Sequence, residues 1–274
     1  MGYIERINKA ADFIRSKMQF EPEIGIILGT GLGSLGEHIE NPTIVDYADI
    51  PEFPVSTVVG HAGRLIIGTL EGKKVLAMQG RFHYYEGYSM QDVTLPVRVM
   101  KKLGVKLLIV SNACGGLNPN FKAGDIMLIT DHINLIGNNP LIGPNLEEFG
   151  PRFPDMSEVY SKELLRQLEE VAAKMDIKVQ KGIYCAISGP NYLSKAELTM
   201  LIRLGSDTVG MSTIPEAMVA RHSGLKTVGI SCITDMAIPD TMHSPTHEEI
   251  VAVAESVKPR FVSLVKQFVK EVRL

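Results

Sequence analysis

The densest group of side chains that could do chemistry follows directly after an apolar run, in the segment Gly80-Arg81-Phe82-His83-Tyr84-Tyr85-Glu86-Gly87-Tyr88. An arginine supplies a fixed cationic fork that suits phosphate, a histidine adds a second donor, and tyrosines offer flat faces with hydroxyl tips. The apolar run at 75–78 predicts a strand, and open α/β sheets bind ligands outside the carboxyl ends of their strands. Each residue alone would more often be a surface group, so it is their density that indicates a site.

Two further segments combine small residues and hydroxyls in a way that suits an anion. Glycines 29, 31 and 33 follow the apolar run at 24–28, and backbone N–H groups in such a turn, with a helix N-terminus behind them, can approach an anion. Ser212 and Thr213 precede a predicted helix, where a hydroxyl either caps the helix or binds an anion. Both segments could also have these residues for structural reasons alone. The glycines would then allow a positive φ, and Thr213 and Glu216 would form a capping box.

The remaining candidates follow other apolar runs. Ala113 and Cys114 precede two glycines, and such small residues let a ligand approach the backbone. Cys114 is interpreted as a buried thiol, since neither a helix N-terminus nor a histidine partner is evident for it. Asp235, after the run at 228–232, is the best candidate for a general acid, although a turn aspartate would look the same. His243 and His247 are separated by residues that break a helix, and therefore no metal is expected.

These segments are spaced along an alternation of strands and helices. Short runs rich in Ile and Val, without polar alternation, are typical of strands buried on both faces. They lie at 24–28, 65–69, 75–78, 107–111, 126–130, 182–187 and 228–232, and helical patterns lie at 3–18, 90–103, 161–175, 194–204, 214–222 and 246–272. The alternation predicts an α/β fold with a mixed, mostly parallel sheet flanked by helices. The Pro/Gly/Asn-rich stretch 134–158 is more typical of a lid or interface arm than of a boundary, and residues 1–274 are expected to form one domain.

Composition excludes several classes of protein. With 45% hydrophobic and 22% charged residues, the chain of 274 residues is expected to be packed and soluble, not disordered. The balance of 28 Lys and Arg against 31 Asp and Glu leaves no basic surface for nucleic acid or an anionic membrane. No apolar run is long enough to span a bilayer. Three scattered cysteines and the lack of a signal peptide indicate a cytoplasmic protein.

Taken together and in this order, the segments resemble the trimeric purine nucleoside phosphorylase family. The resemblance runs from about Gly25 to the last helix and rests on Gly-Thr-Gly-Leu-Gly at 29–33, Gly-His-Ala-Gly-Arg-Leu at 60–65, Gly-Arg-Phe-His-x-Tyr-Glu-Gly at 80–87, Asn-Ala-Cys-Gly-Gly-Leu at 112–117, Gly-Met-Ser-Thr-x-Pro-Glu at 210–216 and His-Glu-Glu at 247–249. It implies phosphorolysis: a purine nucleoside or 2′-deoxynucleoside and phosphate give the free base and the sugar 1-phosphate. It also implies a homotrimer that uses no metal and no organic cofactor, phosphate being a co-substrate.

The resemblance further implies a role for each matching residue. Phosphate would be bound by Thr30, His61, Arg81, His83, the Ala113 backbone and Ser212. The nucleoside would be bound by Tyr85, Tyr192, Leu193, Met211, Asp235 and His247, and by Phe149 from a neighbouring subunit. Arg81, His83 and Asp235 would be catalytic, with Asp235 meeting the negative charge on the departing purine.

Two positions depart from the pattern for 6-oxopurines. Leu193 stands where that pattern has glutamate, and Asp235 stands where it has asparagine. Leu193 offers no hydrogen bond to a 6-oxo edge, whereas Asp235 can accept from a 6-amino group when ionised and donate to N7 when protonated. We therefore expect adenosine as a substrate beside the 6-oxopurine nucleosides. Methylthioadenosine phosphorylases carry Asp at the position of Asp235 but lack a histidine at that of His247, and this activity stays open as an alternative.

Two alternatives come from other classes of protein. Glycines 31, 33 and 36 have the spacing of a dinucleotide fingerprint. No acidic residue ends a second strand about 20 positions further on, and a dehydrogenase would leave Arg81 and His83 unexplained. A module that binds purine nucleosides without turnover could dispense with the phosphate donors, and their presence favours an enzyme.

Overall fold

Strands from both halves of the chain join one nine-stranded sheet in the computed structural model. The structure describes residues 2–30, 32–58, 60–239 and 246–274, except the side chain of His247. The strands are β1 (Ile24–Leu28), β2 (Glu40–Asp46), β3 (Arg64–Leu70), β4 (Lys73–Gln79), β5 (Leu107–Gly116), β6 (Ile126–Leu135), β7 (Val179–Ile187), β8 (Thr208–Gly210) and β9 (Lys226–Met236). Their order is β2-β3-β4-β1-β5-β8-β7-β6-β9. Parallel ladders join β1 to β4 and β5, β9 to β5, and β7 to β6 and β8, whereas the other ladders are antiparallel.

One half of this sheet closes on itself, which the sequence pattern does not predict. β9 stands last in the strand order, yet it also pairs in parallel with β5, starting at Leu107 and Lys226. β5, β8, β7, β6 and β9 therefore form a small barrel, from which β1, β4, β3 and β2 extend as an open sheet. Closure removes exposed strand edges and places Gly115 beside both Val209 and Asp235.

The α-helices of the described residues begin and end within one residue of the ranges that the sequence predicts. They are α1 (Tyr3–Lys17), α2 (Met90–Lys102), α3 (Lys162–Lys174), α4 (Lys195–Arg203), α5 (Ile214–His222) and α6 (His247–Glu271). Capping boxes start α4 at Ser194 and α6 at Thr246, as the sequence predicts. None of these helices has the length and hydropathy that a membrane span requires.

The sheet is covered on both faces, which explains its uninterrupted apolar runs. Ile24, Ile26 and Leu28 of β1 belong to one apolar cluster with residues of α3 and α6. Ile27 belongs to a second cluster with residues of α1 and α2. Successive side chains of a strand point to opposite faces, and β1 is therefore buried from both sides. The expected α/β fold with a mixed sheet is confirmed, and its helices leave the carboxyl ends of several strands free to form a site.

Candidate active site

The carboxyl ends of β5, β7 and β9, and the segments that follow β1 and β4, surround a cavity of about 340 Å³. Most residues selected from the sequence lie on its wall: Thr30, Arg81, His83, Tyr85, Ala113, Tyr192, Leu193, Met211, Ser212 and Asp235. The sequence patterns assign no role to several other wall residues, among them Val58, Asn112, Ile187, Leu198, Thr234 and Ile250. The topology thus brings stretches more than 200 residues apart in the chain to one place.

The glycine-rich turn after β1 lies against the backbone of β5. A Cβ on Gly29 would stand 2.7 Å from the carbonyl oxygen of Ser111, which is closer than a side chain can approach. Neither Gly29 nor Gly33 has a positive φ. The structural reason expected for the glycines is therefore wrong at positions 29 and 33, whereas Gly31 lies outside the described residues. Close approach of two backbones, not a left-handed conformation, requires glycine at position 29. The expected helix behind the turn is also only a short 3-10 helix, Gly33–His38.

Arg81 forms the cationic end of the cavity and is 2% exposed. Its Nε donates to Glu216 Oε1 at 2.9 Å. Its Nη1 donates to the Ser111 carbonyl at 2.6 Å and to Ser212 Oγ at 3.3 Å. Among the described residues Nη2 has no hydrogen-bond partner. An unpaired buried donor is costly.

His61 adds an uncharged polar group beside this cation. Its ring stacks on that of His83 with centroids 5.3 Å apart, and its Nε2 lies 3.4 Å from Thr30 Oγ1. Burial, together with the nearby His83 and Arg81, lowers the pKa of His61 to about 4. At neutral pH His61 therefore contributes a hydrogen bond and no charge.

His83 is oriented by an acidic partner that sequence reasoning did not single out. Glu86 Oε1 lies 3.0 Å from His83 Nδ1. Burial alone would raise the pKa of Glu86, but hydrogen bonds from His83 and Thr57 lower it to about 2, so the carboxylate is ionised. The Tyr85 ring stacks on the other side of the imidazole at 4.7 Å. Burial raises the pKa of Tyr85 to about 12, and its hydroxyl keeps its proton at neutral pH.

The turn before α5 differs from the expected capping box. Thr213 has φ 74° and ψ −50°, and the Ile214 N–H donates to the Ser212 carbonyl at 2.8 Å. This is a γ-turn with positive φ, which is rare and strained for a β-branched residue. The Thr213 hydroxyl accepts from Asn112 Nδ2 at 2.9 Å and does not cap the helix, while Glu216 turns inward. The capping box predicted at Thr213 is therefore wrong; the strained turn holds Ser212 on the cavity wall.

The opposite end of the cavity is mostly apolar. Leu193, Val209 and Ala237 pack against the buried cluster formed by Leu117, Cys185, Leu198 and Leu201. Asp235 adds a carboxylate here, and its Oδ1 accepts from Thr234 Oγ1 at 3.0 Å. A Cβ on Gly115 would stand 3.3 Å from Asp235 Oδ2, and glycine at position 115 thus leaves room for the carboxylate.

Three of the selected residues need separate description. The Tyr192 ring lies on the cavity wall with 56% of the residue exposed, which leaves a face for a flat ligand. Phe149 is away from the wall and 7% exposed, and the Arg98 guanidinium lies 4.9 Å from its ring centroid. Phe149 packs within its own chain, where burial and this cation–π contact hold it. Its role at the site of a neighbouring subunit stays a prediction. The side chain of His247, and His243 altogether, lie outside the described residues.

The arrangement suits an anion next to a flat, partly apolar ligand. Arg81 and Ser212 supply donors at one end, and an aromatic ring, aliphatic side chains and one carboxylate line the other. Within the described parts of the chain, no three His, Cys, Asp or Glu side chains are grouped so that they could hold a metal ion.

Comparison with known proteins agrees with this geometry. The model of the phosphorylase superfamily matches residues 23–270. Purine nucleoside phosphorylase 1 of Bacillus subtilis is 56% identical over 267 residues, which cover 97% of this chain and 98% of that protein. Purine nucleoside phosphorylase of Mus musculus is 46% identical, over 96% of this chain and 94% of its own. The crystal structure of the Schistosoma mansoni enzyme in complex with adenosine superposes with a TM-score of 0.94 at 44% identity, covering 99% and 98% of the two chains. The chain therefore belongs to the phosphorylase superfamily.

Proposed function

We propose that this chain catalyses the phosphorolysis of purine nucleosides, which yields the free purine and ribose 1-phosphate or its 2-deoxy form. The observation that carries the proposal is a cavity that has the Arg81 guanidinium and the Ser212 hydroxyl at one end and aromatic and apolar side chains at the other. The similar proteins named above are purine nucleoside phosphorylases. Solved Schistosoma mansoni relatives were crystallised with adenosine, with inosine, and with cytosine and ribose 1-phosphate.

In the proposed reaction the C1′–N9 bond breaks and a phosphate oxygen forms the new bond to C1′. The sugar becomes cationic as the old bond breaks, so a nearby anion lowers the barrier. Phosphate held by Arg81, Ser212, Thr30, the neutral His61 and the backbone at Ala113 is at once the nucleophile and that anion. Neither a covalent enzyme intermediate nor a cofactor is needed.

Charge that collects on the departing purine needs a hydrogen-bond donor. We assign this role to Asp235 in its protonated form. Tyr85 and Met211 would contact the ribose, His83 would contact the phosphate, and Tyr192 would stack on the base.

We further propose that the base site accepts 6-aminopurines as well as 6-oxopurines. Leu193 belongs to the apolar wall and cannot hydrogen-bond a 6-oxo group, whereas Asp235 can accept from a 6-amino group. Asp235 also favours one alternative, phosphorolysis of 5′-methylthioadenosine. His247 distinguishes the two, because a histidine at that position serves a free 5′-hydroxyl in the family that the chain resembles.

We propose a homotrimer of single-domain subunits in the cytoplasm. The family resemblance supports the trimer, and the free, buried state of Cys114, Cys185 and Cys232 supports a reducing compartment. Size-exclusion chromatography with light scattering measures the assembly directly; a monomeric mass would contradict it.

The experiment that tests the proposed function follows the ultraviolet absorbance of inosine and of adenosine, each with and without phosphate. We expect base release only when phosphate is present. Base release without phosphate would indicate a hydrolase. Thermal stabilisation by nucleoside without base release under either condition would indicate a binding module, and either result would overturn the proposal.

A further inference from the structure

We propose that Glu216 is a positioning residue for the phosphate site and acts through Arg81 without touching a substrate. The inference rests on the proposed function, because it assumes that Arg81 binds the phosphate that is consumed. Glu216 lies in the first turn of α5 and does not line the cavity, whereas Arg81 does.

The two side chains form a buried ion pair. Arg81 and Glu216 are each 2% exposed, and Nε lies 2.9 Å from Oε1. This bond fixes one edge of the guanidinium plane, and the two bonds of Nη1 to Ser111 and Ser212 fix a second edge. Nη2 is the one guanidinium nitrogen of Arg81 without a hydrogen-bond partner among the described residues. A planar fork with three of its donors committed can present the remaining ones in only one direction.

The placement of Glu216 is not explained by helix capping or by stability. Its position three residues after Thr213 would allow it to cap α5, but the γ-turn at Thr213 removes that arrangement. A buried ion pair often contributes less to stability than an apolar pair of the same size. Glu216 Oε2 also lacks a partner among the described residues, a further cost. The Glu216 carboxylate lowers stability at this position, and its presence is best explained by its orienting the guanidinium of Arg81.

The direction in which phosphate affinity changes when Glu216 is replaced distinguishes a positioning role from a charge-balancing role. Removing a negative charge next to an anion site strengthens the attraction for phosphate. If Glu216 only balanced the charge of Arg81, variants without the carboxylate would bind phosphate more tightly. If Glu216 positions the guanidinium, losing the acceptor weakens phosphate binding in spite of the more favourable charge.

The test compares Glu216→Ala, Glu216→Gln and Glu216→Asp with the unchanged enzyme. Glu170→Ala, which removes an exposed ion pair on α3, serves as the control. The KM for phosphate is measured at saturating inosine, and the KM for inosine at saturating phosphate. We expect the KM for phosphate to rise at least about tenfold in Glu216→Ala, the lower range for a lost charge-assisted hydrogen bond, while the KM for inosine stays within about twofold. Glu216→Gln keeps an acceptor and should restore the KM for phosphate, whereas Glu216→Asp keeps the charge but withdraws the acceptor and should not.

Each other pattern overturns the inference. A lower KM for phosphate in Glu216→Ala and Glu216→Gln, with an unchanged KM in Glu216→Asp, would show a charge role. Equal changes in both KM values, or none, would show a structural role. If Glu216→Ala fails to fold, the contrast between the Gln and Asp variants decides the question alone. Failure of the proposed function is distinguishable, because the unchanged enzyme would then show no phosphate-dependent base release.

Discussion

We predict that the base preference shifts towards 6-oxopurines when the two positions that depart from the 6-oxopurine pattern are changed. The double variant Leu193→Glu, Asp235→Asn restores the carboxylate and amide of that pattern. Each restored or lost hydrogen bond to a charged group is worth about 1.5–3 kcal/mol, a factor of roughly 10 to 100 in kcat/KM. Because both positions are proposed to contact one base, we expect their effects to be coupled and not simply additive. We expect the ratio of kcat/KM for inosine over adenosine to rise at least about 100-fold.

The structure indicates that both substitutions can be accommodated. Asn at 235 keeps an oxygen that can accept from Thr234 Oγ1, a contact of 3.0 Å in this chain. Glu at 193 replaces a partly buried side chain at the edge of the apolar cluster, and we expect destabilisation of about 1 kcal/mol. Glu197, one helical turn on, could in principle serve the 6-oxo edge already. It is engaged instead as the cap of α4, where Oε2 accepts from the Ser194 N–H at 2.7 Å and from the Ser194 hydroxyl at 2.8 Å.

The assay is initial-rate absorbance with inosine, guanosine and adenosine at saturating phosphate, and Glu197→Gln is the matched control. Unchanged enzyme should turn over adenosine at a useful rate, and the control should behave like it. The reasoning would be refuted if the unchanged enzyme already preferred inosine strongly, the double variant changed little, and Glu197→Gln lost activity on inosine.

Three other predictions follow from the site. Arg81→Ala should lower kcat/KM for phosphate by roughly 10- to 100-fold with little change in the KM for inosine. It should also lower the melting temperature, because it leaves the buried Glu216 without its ion-pair partner. Unchanged phosphate dependence would show that Arg81 does not belong to the site. His247→Ala should impair inosine and adenosine most and 5′-deoxy or 5′-methylthio analogues least, and equal losses on all of them would show that His247 does not serve the 5′ end. Burial lowers the pKa of His61 to about 4 and lowers the pKa of His222 below its ordinary value. Between pH 6.5 and 4 these histidines therefore bind protons in the unfolded chain but not in the folded one. The free energy of unfolding should fall as the pH drops through this range. His61 alone accounts for at most about 3 kcal/mol; urea titrations across this range should show a smaller slope in His61→Asn, and identical slopes would contradict the assignment.

Local patterns predicted the helices and most strands because each depends on residues close together in the sequence. β2 escaped notice since it is an outer strand in which only Val45 is buried, and it has no apolar run. The pairing of β9 with β5 joins residues about 120 positions apart. The apolar pattern of a strand that is buried on both faces does not indicate with which other strand it pairs. The barrel could therefore not be read from periodicity.

Residue types and positions at strand ends predict Arg81, His83, Ser212 and Asp235, and the family resemblance adds Tyr192, Leu193 and Met211. The residues that support them are not predicted. Glu86 and Glu216 occur within the motifs, yet only the fold brings one to His83 and turns the other towards Arg81. Thr213 has the sequence of a helix cap and adopts a strained turn, because a contact from Asn112 on a distant strand outweighs the local preference. Tertiary contacts of this kind decide between two locally reasonable conformations.

The most direct test of the central claim is the fate of isotopically labelled phosphate. Inosine and phosphate labelled with oxygen-18 are incubated with the enzyme, and the products are analysed by phosphorus NMR and mass spectrometry. Attack of phosphate on C1′ predicts hypoxanthine and ribose 1-phosphate in equal amounts, with every labelled oxygen retained in the ester. Free ribose beside unconsumed labelled phosphate would contradict the account.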